Sequence, residues 1–306
     1  MLRDARFERQ MQPLRGRQRF LRELCLASVA VFATSASGAT EISPEPQLRT
    51  DTIAAFAHYV ELTEARNNQE LRAGTPVFWV DGLAEKDRTA AYAALRRGQV
   101  ELRRLETREA DRKISCPHGL IHHWVGLVFV PGAKLDDVLA LQQDYDHHEK
   151  YFAPDVERSR IESRDGEHFH IFLRFRRHKV VTVVLNTQHD VRYFRDSPTR
   201  ARSRSSAVRI AQVENAGHAG EREKPEGDDD GFLWKIETWW RMEERDGGVY
   251  VQGEVASLTR DIPVGLGWLI GPFVRSVPRE TLTFTLEATR RAVESRRGNA
   301  PEAAIR

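Results

Sequence analysis

The first apolar pattern along the chain has the period of a helix. Ile53, Phe56, Ala57 and Val60 recur at i, i+3, i+4 and i+7, which places them on one helical face. The Gly-Thr-Pro run at 74–76 ends this pattern, and a second helix fits residues 86–104. Both predicted helices carry many charges, so we expect them to dock on a larger domain rather than form a core of their own.

After residue 117 the pattern changes to that of β-strands. Phe169, Ile171 and Leu173 alternate with polar residues, and Asp165-Gly166 between apolar runs is typical of a hairpin turn. The same reasoning predicts strands at residues 120–130, 156–163, 168–175, 180–185, 191–194, 201–213, 232–243 and 249–259. Two short helical segments at 135–146 and 144–154 follow the first strand, and residues 215–231 are predicted to form a long polar loop.

The end of the chain returns to the period of a helix. Leu282, Leu286, Thr289 and Val293 form one stripe after Pro278, a residue suited to the first helical turn. Residues 262–277, which come before, are apolar but interrupted by Gly and Pro. The tail 297–306 is polar, and we expect it to be disordered.

The front of the chain has the layout of an export signal. An Arg-rich stretch ends at Arg22, an apolar stretch covers residues 24–33, and Ser37-Gly38-Ala39 fits a small-x-small cleavage site. We therefore predict a signal peptide at 1–39 and a linker at 40–49, with Met1 or Met11 as the start. The mature protein would be exported, to the periplasm.

Composition and charge narrow the possible partners. The 306 residues are 40% hydrophobic and 30% charged, which is typical of a globular protein. The 47 Lys and Arg nearly cancel the 45 Asp and Glu, which argues against nucleic acid as the main partner. Once the predicted signal is removed, Cys116 is the only cysteine, and we interpret it as an inert thiol.

The eleven histidines do not form a recognised metal motif. His122 and His123 are adjacent on a predicted strand and point to opposite faces. His168 and His170 share a face but alternate with apolar residues, so we expect them to point to solvent. Asp144 and His148 are spaced to chelate on a helix, yet neither HExxH nor a Cys/His spacing is present. We predict no metal, no cofactor and no catalytic residues.

The strand pattern also suggests which side chains face the interior. In the first long strand His123, Val125 and Leu127 belong to the more apolar face, so we predict that they face the core. Trp240 lies on an aromatic face of a later strand. Arg241, Glu254 and Arg260 are candidates for a polar contact inside or beside a cavity.

Three stretches of sequence are similar to parts of known bacterial proteins. Residues 119–132, 144–156 and 260–280 resemble the first strand and its exit, the helical lead into the second strand, and the join to the last helix of the START-like (helix-grip, SRPBCC, polyketide cyclase-like) superfamily. The resemblance covers residues 116–296. It implies an α+β fold in which a curved antiparallel sheet of six to seven strands wraps a long C-terminal helix, with residues 50–115 as an N-terminal helical extension.

The resemblance implies a ligand cavity between the sheet and the last helix. The residues that we expect to line it are His123, Val125, Leu127, Phe169, Ile171, Leu173, Trp240, Arg241, Glu254, Trp268, Phe273, Leu282 and Leu286. Residues 215–231 and 264–273 are candidate gates. The ligand would be a lipid or another apolar small molecule, and any membrane contact would be transient.

Two other functions remain open at this stage. A cyclase or aromatase would need two of His123, Arg241 and Glu254 to converge on one point in the cavity. An envelope scaffold would need an exposed apolar patch that includes Ile53, Phe56 and Val60. Fold membership does not choose among the three, and the oligomeric state is open.

Overall fold

The computed structural model describes residues 48–74, 77–178, 181–261 and 267–298, with side chains of the last range from 276 onward. The predicted signal peptide, most of the linker and most of the C-terminal tail lie outside these residues. The helices are α1 Thr50–Ala73, α2 Glu85–Arg96, α3 Leu135–Gln142, α4 His148–Tyr151 and α5 Gly267–Gly298. The strands are β1 Glu101–Arg104, β2 Arg108–Glu109, β3 Arg112–Lys113, β4 Gly119–Pro131, β5 Val156–Asp165, β6 His168–His178, β7 Thr182–Ser197, β8 Arg200–Glu214, β9 Arg222–Glu223, β10 Lys235–Arg245 and β11 Gly248–Arg260.

One antiparallel sheet, with nine strands among the described residues, organises the fold. Its order is β1-β4-β11-β10-β8-β7-β6-β5, and β9 pairs with β8. The long helix α5 packs against β4 and β11. The predicted α+β helix-grip class is confirmed, because an antiparallel sheet carries one long C-terminal helix on one face.

Two predicted elements differ from the structure. The predicted strands 180–185 and 191–194 both overlap one strand, β7 Thr182–Ser197, whose polar middle residues alternate between the two faces. The predicted helix 86–104 ends at Arg96, and residues 101–104 form β1 against β4. Gly98, with φ of 90°, makes that change of direction possible because it has no Cβ.

The segment 215–231, predicted as a loop, is tied to the sheet along part of its length. Arg222 and Glu223 pair with the end of β8. Asp229 is buried, and its Oδ1 accepts a hydrogen bond of 3.0 Å from the indole nitrogen of Trp234. The other predicted gate, 264–273, lies outside the described side chains.

The central strands are covered on both sides. We call the face toward α5 the inner face and the opposite one the outer face. On the inner face α5 comes very close, because a Cβ added to Gly126 would lie 2.5 Å from Leu286 Cδ1. On the outer face α1 and the segment from Phe78 through α2 bury the sheet. The N-terminal extension docks on the main domain, as expected.

No helix among the residues described is long and apolar enough to cross a membrane.

Candidate functional site

Five predicted cavity residues lie on the outer face, so their assignment to a space beneath α5 was wrong. They are His123, Val125 and Leu127 of β4, Arg241 of β10 and Glu254 of β11. All five are buried, but beneath the N-terminal extension: Leu127 packs with Phe78, and the three polar residues contact α1. Because the central strands are buried on both faces, a difference in apolar character between the faces does not show which of them lies toward α5.

The polar residues of the outer face form a continuous buried network with α1. The hydroxyl of Tyr59 is 2.9 Å from His123 Nδ1, and His123 Nε2 is 2.9 Å from Glu254 Oε1. The guanidinium of Arg66 donates to the same carboxylate oxygen. The backbone nitrogen of Thr107 donates to the Tyr59 hydroxyl at 2.8 Å. This network fastens the middle of α1 to the sheet.

Glu254 carries a charge in this buried place. Burial alone would raise the pKa of its carboxyl group, but the hydrogen bond from His123 and the positive charge of Arg66 outweigh it, and the pKa is lowered. An ionised carboxylate can only accept hydrogen bonds, so His123 Nε2 donates to it. Both polar ends of the His123 ring are therefore engaged within the network.

Arg241 makes a second connection to α1. Its Nη2 donates to Asn67 Oδ1 at 2.6 Å and to Glu70 Oε2 at 2.7 Å, while Nη1 donates to the carbonyl of Val77 at 3.2 Å. Arg241 and Glu254 thus converge on α1 rather than on the inner face. The geometry that a cyclase would need from His123, Arg241 and Glu254 is not formed on the α5 side of the sheet.

The other predicted residues with described side chains lie on the inner face. Phe169, Ile171 and Leu173 of β6 belong to a core cluster that includes Ala288 of α5. Leu282 and Leu286 of α5 pack in a second cluster, and Trp240 packs against it. The side chains of Trp268 and Phe273 lie outside the described residues.

The middle of the inner face is only partly buried, although α5 packs on this side of β4 and β11. Six side chains there are only partly buried: Trp124, Ser205, Ile236, Thr238, Trp240 and Val255. The register keeps them on one face, since Thr238 pairs with Ser205 and with Val255 across the sheet. We call the region above these six side chains the inner space. Of these six, only Trp240 was among the cavity residues predicted from the sequence.

Two polar residues, one on β7 and one on β8, bring hydrogen-bonding groups to the edge of the inner space. Ser203, opposite Trp240, is buried, and its hydroxyl has no partner among the described residues. His189 is buried, with Nε2 2.9 Å from Thr187 Oγ1 and Nδ1 3.4 Å from Ser205 Oγ. Burial lowers the pKa of His189 to about 4, so the ring is neutral at pH 7. Strand alternation could have placed both residues on this face, but it could not have shown that neighbouring Trp240 and Ser205 are only partly buried.

His189 predicts a pH dependence of stability. The folded state takes up this proton only near pH 4, whereas an unfolded histidine does so near 6.5, so protonation favours unfolding as the pH falls. At pH 5 the loss of unfolding free energy is about 2 kcal/mol. Urea unfolding at pH 7, 6 and 5 should therefore give a flatter dependence for His189→Gln than for the wild type. His218→Gln, at an exposed site, is the control, and parallel curves for the wild type and His189→Gln would contradict the prediction.

A separate groove of about 400 Å³ lies at the end of α1, against β8 and β10. Arg72, Arg200, Arg202 and Arg241 line it, and the charges of the last three are paired within the protein. Arg241 contacts Glu70, Arg202 Nε donates to Asp196 at 3.0 Å, and Arg200 Nε donates to Glu243 at 2.6 Å. We therefore do not assign an anionic ligand to it.

No family model matches the sequence, and no curated protein matches it. Solved structures do match the fold. A STAR-related lipid transfer protein from Xanthomonas axonopodis is 17% identical, with 62% of this chain and 98% of that chain covered and a TM-score of 0.40. The Zhui aromatase/cyclase of a Streptomyces species is 15% identical, with 60% and 100% covered and a TM-score of 0.41. Human STARD10 is 7% identical, with 72% and 85% covered and a TM-score of 0.40.

The described part of the chain has an α+β, helix-grip fold, as its sheet order and its C-terminal helix define it.

Proposed function

We propose that this protein binds an apolar small molecule, such as a lipid, in the inner space between the sheet and α5. The observation that carries the proposal is the partial exposure of Trp124 and Trp240 on a face that a long helix covers. Large apolar side chains beneath a helix are normally closely packed. Aromatic walls around an unfilled region are the usual lining of a small-molecule site.

The polar groups suggest the kind of ligand. The hydroxyl of Ser203, which has no partner in the described part of the chain, and the neutral ring of His189 suit an uncharged hydrogen-bonding group, such as a hydroxyl or a carbonyl. None of the six side chains that define the inner space is charged. Most of the affinity would come from apolar contact, at about 25 cal/mol for each Å² removed from water.

The scaffold alternative receives no support from the surface that it needs. Phe56 and Val60 are buried against the sheet, and only Ile53 of the proposed patch is exposed, at 39%. The enzyme alternative lacks its converging groups on the inner face, as described above. We therefore propose ligand binding alone.

Filling the inner space tests the proposal. In Thr238→Trp the larger ring would occupy the space, so we expect the affinity for the apolar probe 1-N-phenylnaphthylamine to fall by about tenfold or more, which is 1.4 kcal/mol. Fluorescence titration of the purified protein measures this. Val208→Trp adds the same ring at a position that is 55% exposed and serves as the matched control.

A second filling variant guards against misfolding. Ser205→Leu changes the neighbouring strand and should also weaken binding, while circular dichroism checks that each variant is folded. Equal affinity in the wild type, Thr238→Trp and Ser205→Leu would place the probe elsewhere and refute the proposed site. Absence of saturable binding by the wild type would count against the function itself.

A further inference from the structure

Two histidines and an aspartate meet on the outer face of β6 and β7. His168 and His170 lie two residues apart on β6, and Asp190 of β7 is the register partner of His170. His168 Nε2 is 2.6 Å from Asp190 Oδ2, and His170 Nδ1 is 3.7 Å from the same oxygen. The ligand atoms of the three residues all lie within 4.8 Å of one another, and in the described part of the chain no other group of three does so.

We propose that His168, His170 and Asp190 bind one divalent transition-metal ion, with Zn²⁺ as the representative. Two imidazoles and a carboxylate are a donor set that such ions favour, and a water molecule would complete a tetrahedron. With metal–ligand bonds of about 2.0–2.1 Å, ligand atoms in a tetrahedral site lie about 3.3 Å apart. The separations of 2.6 and 3.7 Å from Asp190 lie on either side of this value, and rotation of the partly exposed imidazoles would adjust them to it.

The surroundings make the site accessible and rigid. The side chains of His168, His170 and Asp190 are partly exposed, so an ion can reach them without unfolding. Two hydrogen-bonded strands hold the backbone, and the rings of the two histidines are already 4.7 Å apart. A bound ion would connect β6 to β7 on the side away from the inner space. The metal proposal therefore does not depend on the proposed ligand function.

Arg192 provides an internal test of the electrostatics. Its Nε is 3.6 Å from Asp190 Oδ1, so its positive charge partly neutralises the carboxylate that would bind the ion. A cation in the site would be repelled by this charge. Arg192→Gln should therefore bind Zn²⁺ more tightly than the wild type, a change that a purely structural His-Asp contact would not produce.

Isothermal titration of tag-free, chelator-treated protein with zinc chloride tests the proposal. We expect one Zn²⁺ per wild-type chain. In His170→Ala and Asp190→Asn the affinity for Zn²⁺ should fall by more than the roughly tenfold loss that follows removal of a group that only hydrogen-bonds to a metal ligand. His147→Ala is the matched control, because His147 and Asp144 form a pair 2.7 Å apart without a second histidine in the cluster. It should bind as the wild type does.

Cobalt substitution gives an independent measure. Co²⁺ bound by two imidazoles should give visible absorption bands that are lost in His170→Ala and retained in His147→Ala. The proposal is overturned if the wild type binds no more Zn²⁺ than a His168→Ala/His170→Ala double variant. It is equally overturned if His170→Ala binds with wild-type affinity.

Discussion

Replacing Glu254 with alanine is expected to lower the free energy of unfolding by about 3 kcal/mol. The change removes the acceptor for His123 and the partner for Arg66, and it leaves the buried imidazole donor without a hydrogen bond. Because His123 is 1% exposed, water cannot replace the lost partner. Urea denaturation monitored by circular dichroism at pH 7 measures the effect.

The control is a glutamate on the same helix, α1, that does not belong to the buried network of His123 and Glu254. Glu61 lies on α1 with an exposed side chain, so Glu61→Ala should change the free energy of unfolding by no more than about 0.5 kcal/mol. If Glu254→Ala cost no more than Glu61→Ala, the network would not fasten α1 to the sheet. Glu254→Gln separates the charge from the hydrogen bonds, since it keeps an acceptor and removes the ion pair.

Replacing Leu286 with alanine is expected to cost about 3 kcal/mol of unfolding free energy. This side chain is completely buried between α5 and the sheet, in the cluster that also holds Leu282. Its Cδ1 lies 2.5 Å from the place that a Cβ of residue 126 would occupy, so Gly126 and Leu286 together set the distance between helix and sheet. Truncation would leave a cavity that the helix cannot close without moving.

The same truncation at an exposed leucine shows how much of the cost comes from burial. Leu71, near the end of α1, is 37% exposed, and Leu71→Ala should cost far less than Leu286→Ala. Thermal and urea unfolding of both variants would measure the difference. Similar costs at the two positions would mean that the contact between α5 and the sheet does not stabilise the fold as described.

The local patterns of the sequence predicted most of the elements. Alternation in β6 placed Phe169, Ile171 and Leu173 on one face, and the structure buries these three in a single cluster. The stripe of Leu282 and Leu286 predicted which side of α5 packs on the sheet. These predictions succeeded because a strand or helix with one apolar face needs only local periodicity to define it.

Periodicity failed where both faces of a strand are buried. In β4 we expected the face that carries His123, Val125 and Leu127 to lie toward α5. In the structure α1 and α2 cover this face instead. The opposite face carries Trp124 and Gly126. Nothing in the sequence marks Gly126 as special, although α5 packs so closely that a side chain at this position would collide with Leu286. Which element covers which face depends on how distant segments pack, and local pattern carries no information about that.

The candidate sites also combine features that the local sequence shows with features that depend on how distant segments pack. His168 and His170 were visible as two residues on one face, but the third ligand, Asp190, comes from the next strand and is brought opposite His170 only by the register of β6 and β7. Strand pairing likewise brings Ser205 to His189 and places Ser203 opposite Trp240.

The sequence by itself determined most of the elements and the residues of their apolar stripes, because these follow from spacing along the chain, and its resemblance to a known superfamily implied the fold class. The tertiary structure alone decided that the N-terminal helices cover the outer face, that His123 and Glu254 hold α1, and that the inner face retains partly exposed tryptophans. Those features arise from contacts between residues far apart in the chain, as with His123 and Glu254, 131 positions apart.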